Sequence, residues 1–203
     1  SGRKIGKLSQ ISVKYGFYDE FERYPHSDKK AGAPISLIEE RHKSYMNTRK
    51  IYLVSTPEFK QTSNIEPMYL KGDQRKFHIP CAHCGTMVDL IWHSDGKEID
   101  GKVGVVFKRD IHGKLIKDSV LYRCQVCGET FPQTHVYDCY DADLGKWIPT
   151  VDPIDTKYKS YHISALYAPA GMYDWIHYAQ KWCEIYPKNK PENIDELKTF
   201  VNQ

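Results

Sequence analysis

The sequence of 203 residues lacks a signal peptide and any apolar run of about 18 residues, the length that a membrane-spanning helix needs. It contains no internal repeat and no low-complexity tract. It also lacks a strong excess of charge, since 29 basic residues are balanced by 26 acidic ones. That near balance excludes neither nucleic acid nor protein partners, because local clusters matter more than the sum. We therefore expect a soluble intracellular protein with no membrane-bound segment.

A phosphate-binding loop is also missing. Residues 2–8 (Gly-Arg-Lys-Ile-Gly-Lys-Leu) resemble one only superficially. The motif requires Gly-x4-Gly-Lys-Ser/Thr, whose amides wrap the phosphates and whose hydroxyl holds magnesium. Here the spacing is one residue short, and Leu8 replaces the hydroxyl. This stretch is therefore not a P-loop.

The sequence has six cysteines, and four of them belong to two Cys-x-x-Cys-Gly sequences. Two residues between cysteines let one tight turn direct both sulfur atoms at a single point, and the glycine permits the backbone of that turn. Four thiolates make the full tetrahedral set of a structural zinc ion. The two sequences, which we call knuckles, are Cys81-Ala-His-Cys84-Gly85 and Cys124-Gln-Val-Cys127-Gly128.

The 39 residues between Cys84 and Cys124 form a longer linker than the roughly 15–20 residues of short zinc patterns. We predict strands at 87–92, 104–107 and 119–122, with turns at 94–96 and 112–113. The pattern indicates a zinc ribbon with an extra hairpin. Four unrelated buried cysteines, or two disulfides, remain alternatives. A zinc hydrolase would need an open coordination position, which four thiolates do not leave. We expect Cys139 and Cys183 to be buried or half-buried thiols.

A second motif is a β-prone run, residues 11–18, that ends in Asp19 and Glu20. A strand that delivers two adjacent carboxylates is the Walker B arrangement, in which the first acid lies near the magnesium of a nucleotide and the second polarises the attacking water. Another apolar strand, residues 51–54, ends in Ser55 and Thr56. Polar residues at the carboxyl ends of parallel strands form ligand sites, so we predict that these strands pair in parallel. A solvated acidic turn and an ordinary Ser-Thr cap are the alternatives.

The remaining segments complete an α/β pattern interrupted by the zinc ribbon. Periodicity predicts helices at 34–46, 173–186 and 192–201, and strands at 76–79 and 161–167, with a connector at 134–159. We expect the aromatic stripe of the helix at 173–186 to lie in the core. The predicted division is into residues 1–78, 79–133 and 134–203, of which the second is the zinc ribbon.

Taken in order, these segments resemble the large terminase subunit of tailed bacteriophages, in the family of long-type DNA-packaging ATPases. The resemblance implies part of a RecA-like P-loop ATPase sheet with an inserted zinc-ribbon subdomain. Asp19 would then be the Walker B metal acid, Glu20 the catalytic base, and Ser55 and Thr56 the coupling motif. The resembling segments are YDEFERYP (18–25), KIYLVSTP (50–57), IPCAHCG (79–85), YRCQVCG (122–128), YHISALY (161–167) and LKTFVN (197–202).

The resemblance also implies a function and its partners. The complete protein would be an ATP-driven motor that pumps double-stranded DNA into a procapsid in the host cytoplasm, joined to a nuclease that cuts the concatemer. It would use Mg²⁺ and ATP, carry structural Zn²⁺ on the four knuckle cysteines, and bind a small terminase subunit and the procapsid portal. The phosphate-loop and nuclease segments would lie outside this chain, so we expect it to be the middle portion and inactive alone. Glu22 stands where an aspartate is expected.

An alternative from another class is a non-enzymatic zinc-ribbon module that binds nucleic acid or protein. Basic residues of the ribbon could meet phosphates, although solvated charge on a hairpin is the simpler interpretation. They are Lys108, Arg109, Lys114 and Lys117.

Overall fold

A computed structural model describes residues 12–25, 33–57, 63–95 and 101–185. The chain is mixed α/β with several sheets and divides into two compact units. The N-terminal unit comprises Ser1–Gly72 and Pro153–Ser160, and the cysteine-bearing unit comprises Asp73–Asp152 and Tyr161–Gln203. The helix predicted at 192–201 lies outside the described residues.

The N-terminal unit contains a two-stranded parallel sheet. Strand β1 (Tyr15–Tyr18) pairs with β2 (Lys50–Leu53) in the register Tyr15 to Lys50 through Tyr18 to Leu53. The predicted parallel pairing is therefore confirmed. Helices α1 (Pro34–Arg41) and α2 (Glu66–Lys71) belong to the same unit.

The core of this unit is small, and it determines where α1 ends. Tyr18, Phe21 and Ile38 are its buried apolar residues. At His42 the backbone leaves the helical region (φ −90°, ψ 3°), and the chain continues as a 3-10 turn, Lys43–Tyr45. The prediction of one helix over 34–46 was therefore too long, since the buried His42 ends it.

The cysteine-bearing unit contains two four-stranded sheets and two helices. In the first sheet β3 (Arg75–Pro80) pairs antiparallel with β4 (Met87–Asp89) and β9 (Lys146–Ile148), and parallel with β10 (Tyr161–His162). The second sheet has the antiparallel order β5 (His93–Asp95), β6 (Lys102–Arg109), β7 (Leu115–Arg123), β8 (Thr130–Phe131). The helices are α3 (Thr134–Asp141) and α4 (Trp175–Ile185).

Two predictions about the C-terminal third were wrong. The segment at 134–159, predicted as a connector, contains α3 and β9. Helix α3 is stabilised by the burial of Val136 and Cys139 in the core. The strand predicted at 161–167 ends at His162. Beyond it, the Ser164 hydroxyl accepts a hydrogen bond from the Leu166 amide and caps a 3-10 turn instead.

Helix α4 confirms the prediction that its aromatic stripe belongs to the core. Trp175 and Ala179 are buried, and Trp182 packs against the same cluster. The Trp175 indole donates a hydrogen bond to the Leu166 carbonyl at 2.9 Å, so its polar atom is satisfied inside the core. None of the helices in the described part of the chain is long and apolar enough to cross a lipid bilayer.

Candidate functional site

The two knuckles bring their four cysteine sulfur atoms within 4.8 Å of one another. Cys81 Sγ lies 3.8 Å from Cys127 Sγ, and Cys84 Sγ lies 4.0 Å from Cys124 Sγ. These distances exclude disulfides, in which the sulfur atoms are about 2.05 Å apart. A tetrahedral ion with bonds of about 2.3 Å would separate its sulfur ligands by about 3.8 Å. The four side chains therefore fit a metal ion of that geometry.

The backbones of the two knuckles repeat one another. In the first, the Cys81 amide donates to the Thr86 carbonyl and the Gly85 amide donates to the Cys81 carbonyl. In the second, Cys124 forms the same pair of bonds with Glu129 and Gly128. Both glycines adopt left-handed φ values, 69° and 77°, that disfavour other residues. The glycine of each Cys-x-x-Cys-Gly sequence thus closes the turn that aims two sulfur atoms inward.

The protonation chemistry of the cluster favours a bound cation. Hydrogen bonds from the side chain and the backbone of Thr86 lower the pKa of Cys84 to about 6. Burial raises the pKa of Cys81, so the thiols do not ionise together. Four thiolates this close repel one another, and a cation is what allows all four to stay deprotonated.

Cys139 and Cys183 lie outside this cluster and are buried thiols, as predicted. Burial raises the pKa of both. His135 approaches Cys139, with Nε2 at 3.5 Å from Sγ, but the same nitrogen lies 2.8 Å from the Pro80 carbonyl. His135 therefore supports the strand that leads into the first knuckle. Within the described residues, the four knuckle cysteines form the one group of three or more potential ligands close enough to hold a metal.

The second candidate site lies at the carboxyl ends of β1 and β2. The Val54 amide donates to the Tyr18 carbonyl at 3.0 Å, and the Phe21 amide donates to the Val54 carbonyl at 3.1 Å. These bonds fix the turn that carries Asp19 and Glu20 beside the end of β2. The turn and Ser55 are therefore brought to one edge of the parallel sheet, and the exposed Thr56 follows directly.

Hydrogen bonds and one unusual backbone conformation shape this acidic turn. Asp19 Oδ1 accepts a hydrogen bond from the Glu20 amide at 3.0 Å. Glu20 adopts φ 52° and ψ 41°, a left-handed conformation that costs a non-glycine residue about 1–2 kcal/mol. Its carboxylate lies 3.2 Å from Arg23 Nε, and both side chains are about 70% exposed. Gln74 and Asp143 have similar left-handed φ values, so this conformation does not by itself mark a functional turn.

Sequence reasoning missed the structural importance of Glu22. Its buried carboxylate accepts hydrogen bonds from the Ser63 hydroxyl and from the Asn64 and Ile65 amides, at 2.8–3.1 Å. Its own amide donates to Ser55 Oγ at 3.0 Å. Glu22 therefore ties the acidic turn both to the end of β2 and to the start of α2.

A sequence signal for this arrangement exists around Ser63. The segment Ser63-Asn-Ile-Glu66 is a Ser-x-x-Glu sequence of the kind that begins helices. In the structure the Ser63 hydroxyl accepts from the Glu66 amide at 3.0 Å at the start of α2. Reading that signal would have located α2 and its buried serine, but not the partnership with Glu22, which lies 41 residues earlier.

Comparison with known proteins identifies the family. The family model of the phage terminase large subunit gpA, ATPase domain, matches residues 2–147, and the chain therefore belongs to that family. The match confirms the resemblance drawn from the sequence motifs. It favours an ATPase in the complete protein over a non-enzymatic zinc module. Neither the curated proteins nor the solved structures provided a match.

Proposed function

We propose that this chain is a portion of a phage terminase large subunit, the ATP-driven motor that packages viral DNA, and that its ATPase site includes Asp19 and Glu20. The observation that carries the proposal is the pairing of β1 and β2. In parallel sheets ligands bind at the carboxyl ends of the strands. The acidic turn follows one of these ends and Ser55 follows the other.

Each residue at this edge has a distinct proposed role. Asp19 holds the magnesium ion that accompanies ATP, and Glu20 orients and polarises the attacking water. The ion pair between Glu20 and Arg23 is compatible with the role of Glu20 as the base, because an exposed pair contributes at most about 1 kcal/mol. Ser55 and Thr56 relay the nucleotide state to DNA movement. The hydrogen bond from the Glu22 amide to Ser55 supports such a link, since it joins the acidic turn to the relay.

For the cysteine cluster we propose structural zinc in a zinc-ribbon subdomain inserted into a RecA-like sheet. Four sulfur ligands match the closed donor set of structural zinc, which leaves no position for water or substrate. The ion would thus hold the two knuckles together and take no part in hydrolysis.

ATP hydrolysis requires a further part of the protein. The phosphate loop supplies the amides, the lysine and the hydroxyl that grip the β- and γ-phosphates, and residues 1–203 contain no such motif. We expect it, and a nuclease, in other segments of the complete protein. Double-stranded DNA, a small terminase subunit and the procapsid portal are the expected partners in the host cytoplasm.

Reconstitution tests the catalytic proposal. We expect negligible ATP hydrolysis by the 203 residues alone, measured as phosphate release. Adding the phosphate-loop segment of the same protein, in cis or as a separate chain, should restore hydrolysis. Glu20→Gln should reduce the restored rate at least about a hundredfold, at the low end of what a positioned base contributes. Glu40→Gln, which changes an exposed acid of α1, should leave the rate unchanged.

Two results would contradict this proposal. Robust hydrolysis by the 203 residues alone would mean that the nucleotide site lies elsewhere. A restored rate that is equal for Glu20→Gln and Glu40→Gln would remove Glu20 as the base.

A further inference from the structure

The sheet formed by β5–β8 has a second face, opposite the buried core. Residues directly opposite each other on neighbouring strands share a face of the sheet. The opposed pairs on this face are His93 with Gly104, Gly104 with Arg123, and Val106 with Leu121. The alternate residues, such as Tyr122, are buried in the core. A recess of about 670 Å³ is lined by residues of this face, and also by Val105, Phe107 and Trp182, which belong to the core or pack against it.

The recess carries positive charge. Lys102 and Lys108 line it and are exposed, and Arg123 lines it with a half-buried side chain. Among the described residues that line the recess, none is acidic. A groove lined by charge of one sign concentrates ligands of the opposite sign. The recess therefore favours an anionic ligand.

The Arg123 side chain is held beside Lys102 at the recess. Its Nη1 lies 3.5 Å from the Lys102 carbonyl, while its Nε is buried and has no hydrogen-bond partner in the described part of the chain. A buried donor on a charged group is costly to leave unsatisfied. Because Nε has no accessible surface, a ligand in the recess cannot be its acceptor, and Arg123 contributes its positive charge to the recess instead.

Most of the rest of the lining is apolar or aromatic, and its other charged and polar members are Arg109, Ser119 and Thr130. Val106 and Leu121 lie side by side across the β6–β7 pair. At one wall the Trp182 indole meets the His93 ring edge to face, with ring centroids 4.9 Å apart. Aromatic side chains beside a positively charged groove are the combination with which proteins bind single strands, because bases stack on the rings and the cations contact the phosphates.

The volume distinguishes a single strand from a duplex. About 670 Å³ lies within the roughly 300–1,000 Å³ typical of small-ligand sites. One or two unstacked nucleotides fit such a recess. A duplex, whose major groove alone is about 12 Å wide, would touch only the rim.

We propose that this recess binds a single-stranded segment of nucleic acid, with its phosphates at Lys102, Lys108 and Arg123 and a base at the aromatic wall formed by His93 and Trp182. This goes beyond the packaging of double-stranded DNA and does not depend on ATP hydrolysis. The site lies wholly in the cysteine-bearing unit.

A matched pair of double variants tests the proposal. Lys102→Glu with Lys108→Glu reverses two charges in the recess. Lys114→Glu with Lys117→Glu makes the same change in net charge at two exposed positions of the β6–β7 hairpin that do not line the recess. All four lysines are exposed, so both variants should fold, which zinc content and near-ultraviolet circular dichroism would verify.

The measurement is the fluorescence anisotropy of a labelled 12-nucleotide single-stranded DNA and of the corresponding DNA duplex. Each is titrated with the 203-residue protein over a range of salt concentrations without ATP. We expect the recess variant to bind the single strand at least about tenfold more weakly. Its salt slope should be smaller by about 1.4, since each lost phosphate contact on a single strand removes about 0.7. The hairpin variant should stay within about threefold of the unaltered protein.

Three outcomes would overturn the proposal. One is an absence of single-strand binding even at low salt, and another is an equal loss of affinity in both variants. The third is tighter binding of the duplex than of the single strand. Since no step involves ATP, these outcomes leave the reconstitution experiment on Glu20 unaffected.

Discussion

The two units of the chain bury their apolar residues in different ways. In the cysteine-bearing unit both helices and both sheets contribute to one apolar cluster, in which Trp175, Tyr122 and Phe131 are almost fully buried. In the N-terminal unit only Tyr18, Phe21 and Ile38 form a buried apolar cluster among the described residues. A cluster of three residues provides little of the apolar burial that stabilises a fold.

The sheet of the N-terminal unit is exposed where parallel sheets are normally covered. Its outer face presents Tyr15, Phe17 and Val54, which are 56%, 76% and 56% exposed, and Phe17 stacks on Tyr52 with ring centroids 4.6 Å apart. Parallel sheets are usually buried on both faces. This exposed apolar face is of the kind that a helical layer or another protein surface covers in parallel sheets.

Polar contacts compensate for the small core of the N-terminal unit. The buried Glu22 carboxylate joins residues that lie about 40 positions apart in the chain. The cysteine-bearing unit instead joins distant residues through its four cysteines. We therefore expect its knuckles to depend on a metal ion and the N-terminal unit to depend on one carboxylate.

The largest effect is expected from metal removal. Structural zinc sites contribute apparent binding free energies of about 10–16 kcal/mol in small peptides. Elemental analysis should find one zinc per chain, and a strong chelator should abolish hydrogen-exchange protection of the Gly85 and Gly128 amides. Cys84→Ser should bind zinc far more weakly.

Cys139→Ala provides the matched control for that experiment. It removes a buried thiol outside the cluster, so the protein should retain stoichiometric zinc. Well under one zinc per chain in the unaltered protein, with four thiols accessible to a thiol reagent, would show that the knuckles fold without metal.

A smaller but still large effect is expected from Glu22→Ala. The substitution leaves the Ser63 hydroxyl and the Asn64 and Ile65 amides without their acceptor, and unsatisfied buried groups cost about 1–3 kcal/mol each. With partial relaxation we expect a loss of about 3 kcal/mol in the free energy of unfolding, measured by urea denaturation. Glu22→Gln retains one acceptor oxygen and should cost less.

The control for Glu22 is Glu40→Ala. Glu40 is exposed, and its one ion pair among the described residues is with the equally exposed Lys43, at 3.6 Å, so we expect a change within about 0.5 kcal/mol. If Glu22→Ala were no more destabilising than Glu40→Ala, the polar contacts would not be what stabilises the N-terminal unit.

The parts that the sequence predicted best are those with a local chemical signature. The Cys-x-x-Cys-Gly spacing predicted the four-sulfur cluster because turn geometry and ligand number are both local properties. The run ending in Asp19 and Glu20 predicted a strand, and its parallel partner followed from a second run of the same kind. The roles assigned to Asp19, Glu20, Ser55 and Thr56 stay predictions, as does the division at residues 78 and 133.

The missed features depend on distant contacts. Helix α3 has no strong cap, since the N-cap residue Gln133, which precedes Thr134, makes no side-chain capping bond. It is held instead by the burial of Val136 and Cys139, which only the assembled core provides. The recess beside β5–β8 is a similar case. Lys102, Lys108 and Arg123 come from two strands, and their proximity depends on the β6–β7 register.

The smallest effect we expect is a pH dependence that originates in the N-terminal unit. His42 is fully buried, and its Nε2 lies 3.1 Å from the Tyr18 hydroxyl. Burial lowers the pKa of His42, and the positive charges of Arg49 and Arg41 lower it further. In the unfolded chain its pKa returns to about 6.5.

Because the pKa of His42 is lower in the folded protein, the unfolded chain binds a proton more readily. The stability that a neutral His42 provides is fully present above about pH 6.5 and is lost as the pH falls from there through the lowered pKa. Hydrogen exchange of the β1 and β2 amides between pH 7.5 and pH 5 would report this loss locally. This local measurement distinguishes the effect of His42 from that of His162 in the other unit, whose pKa is also lowered by burial.

His42→Gln, which does not titrate, should flatten the pH dependence of these amides, whereas His112→Gln on the exposed hairpin turn should leave it unchanged. Equal pH slopes in both variants would mean that His42 does not couple protonation to the stability of this unit.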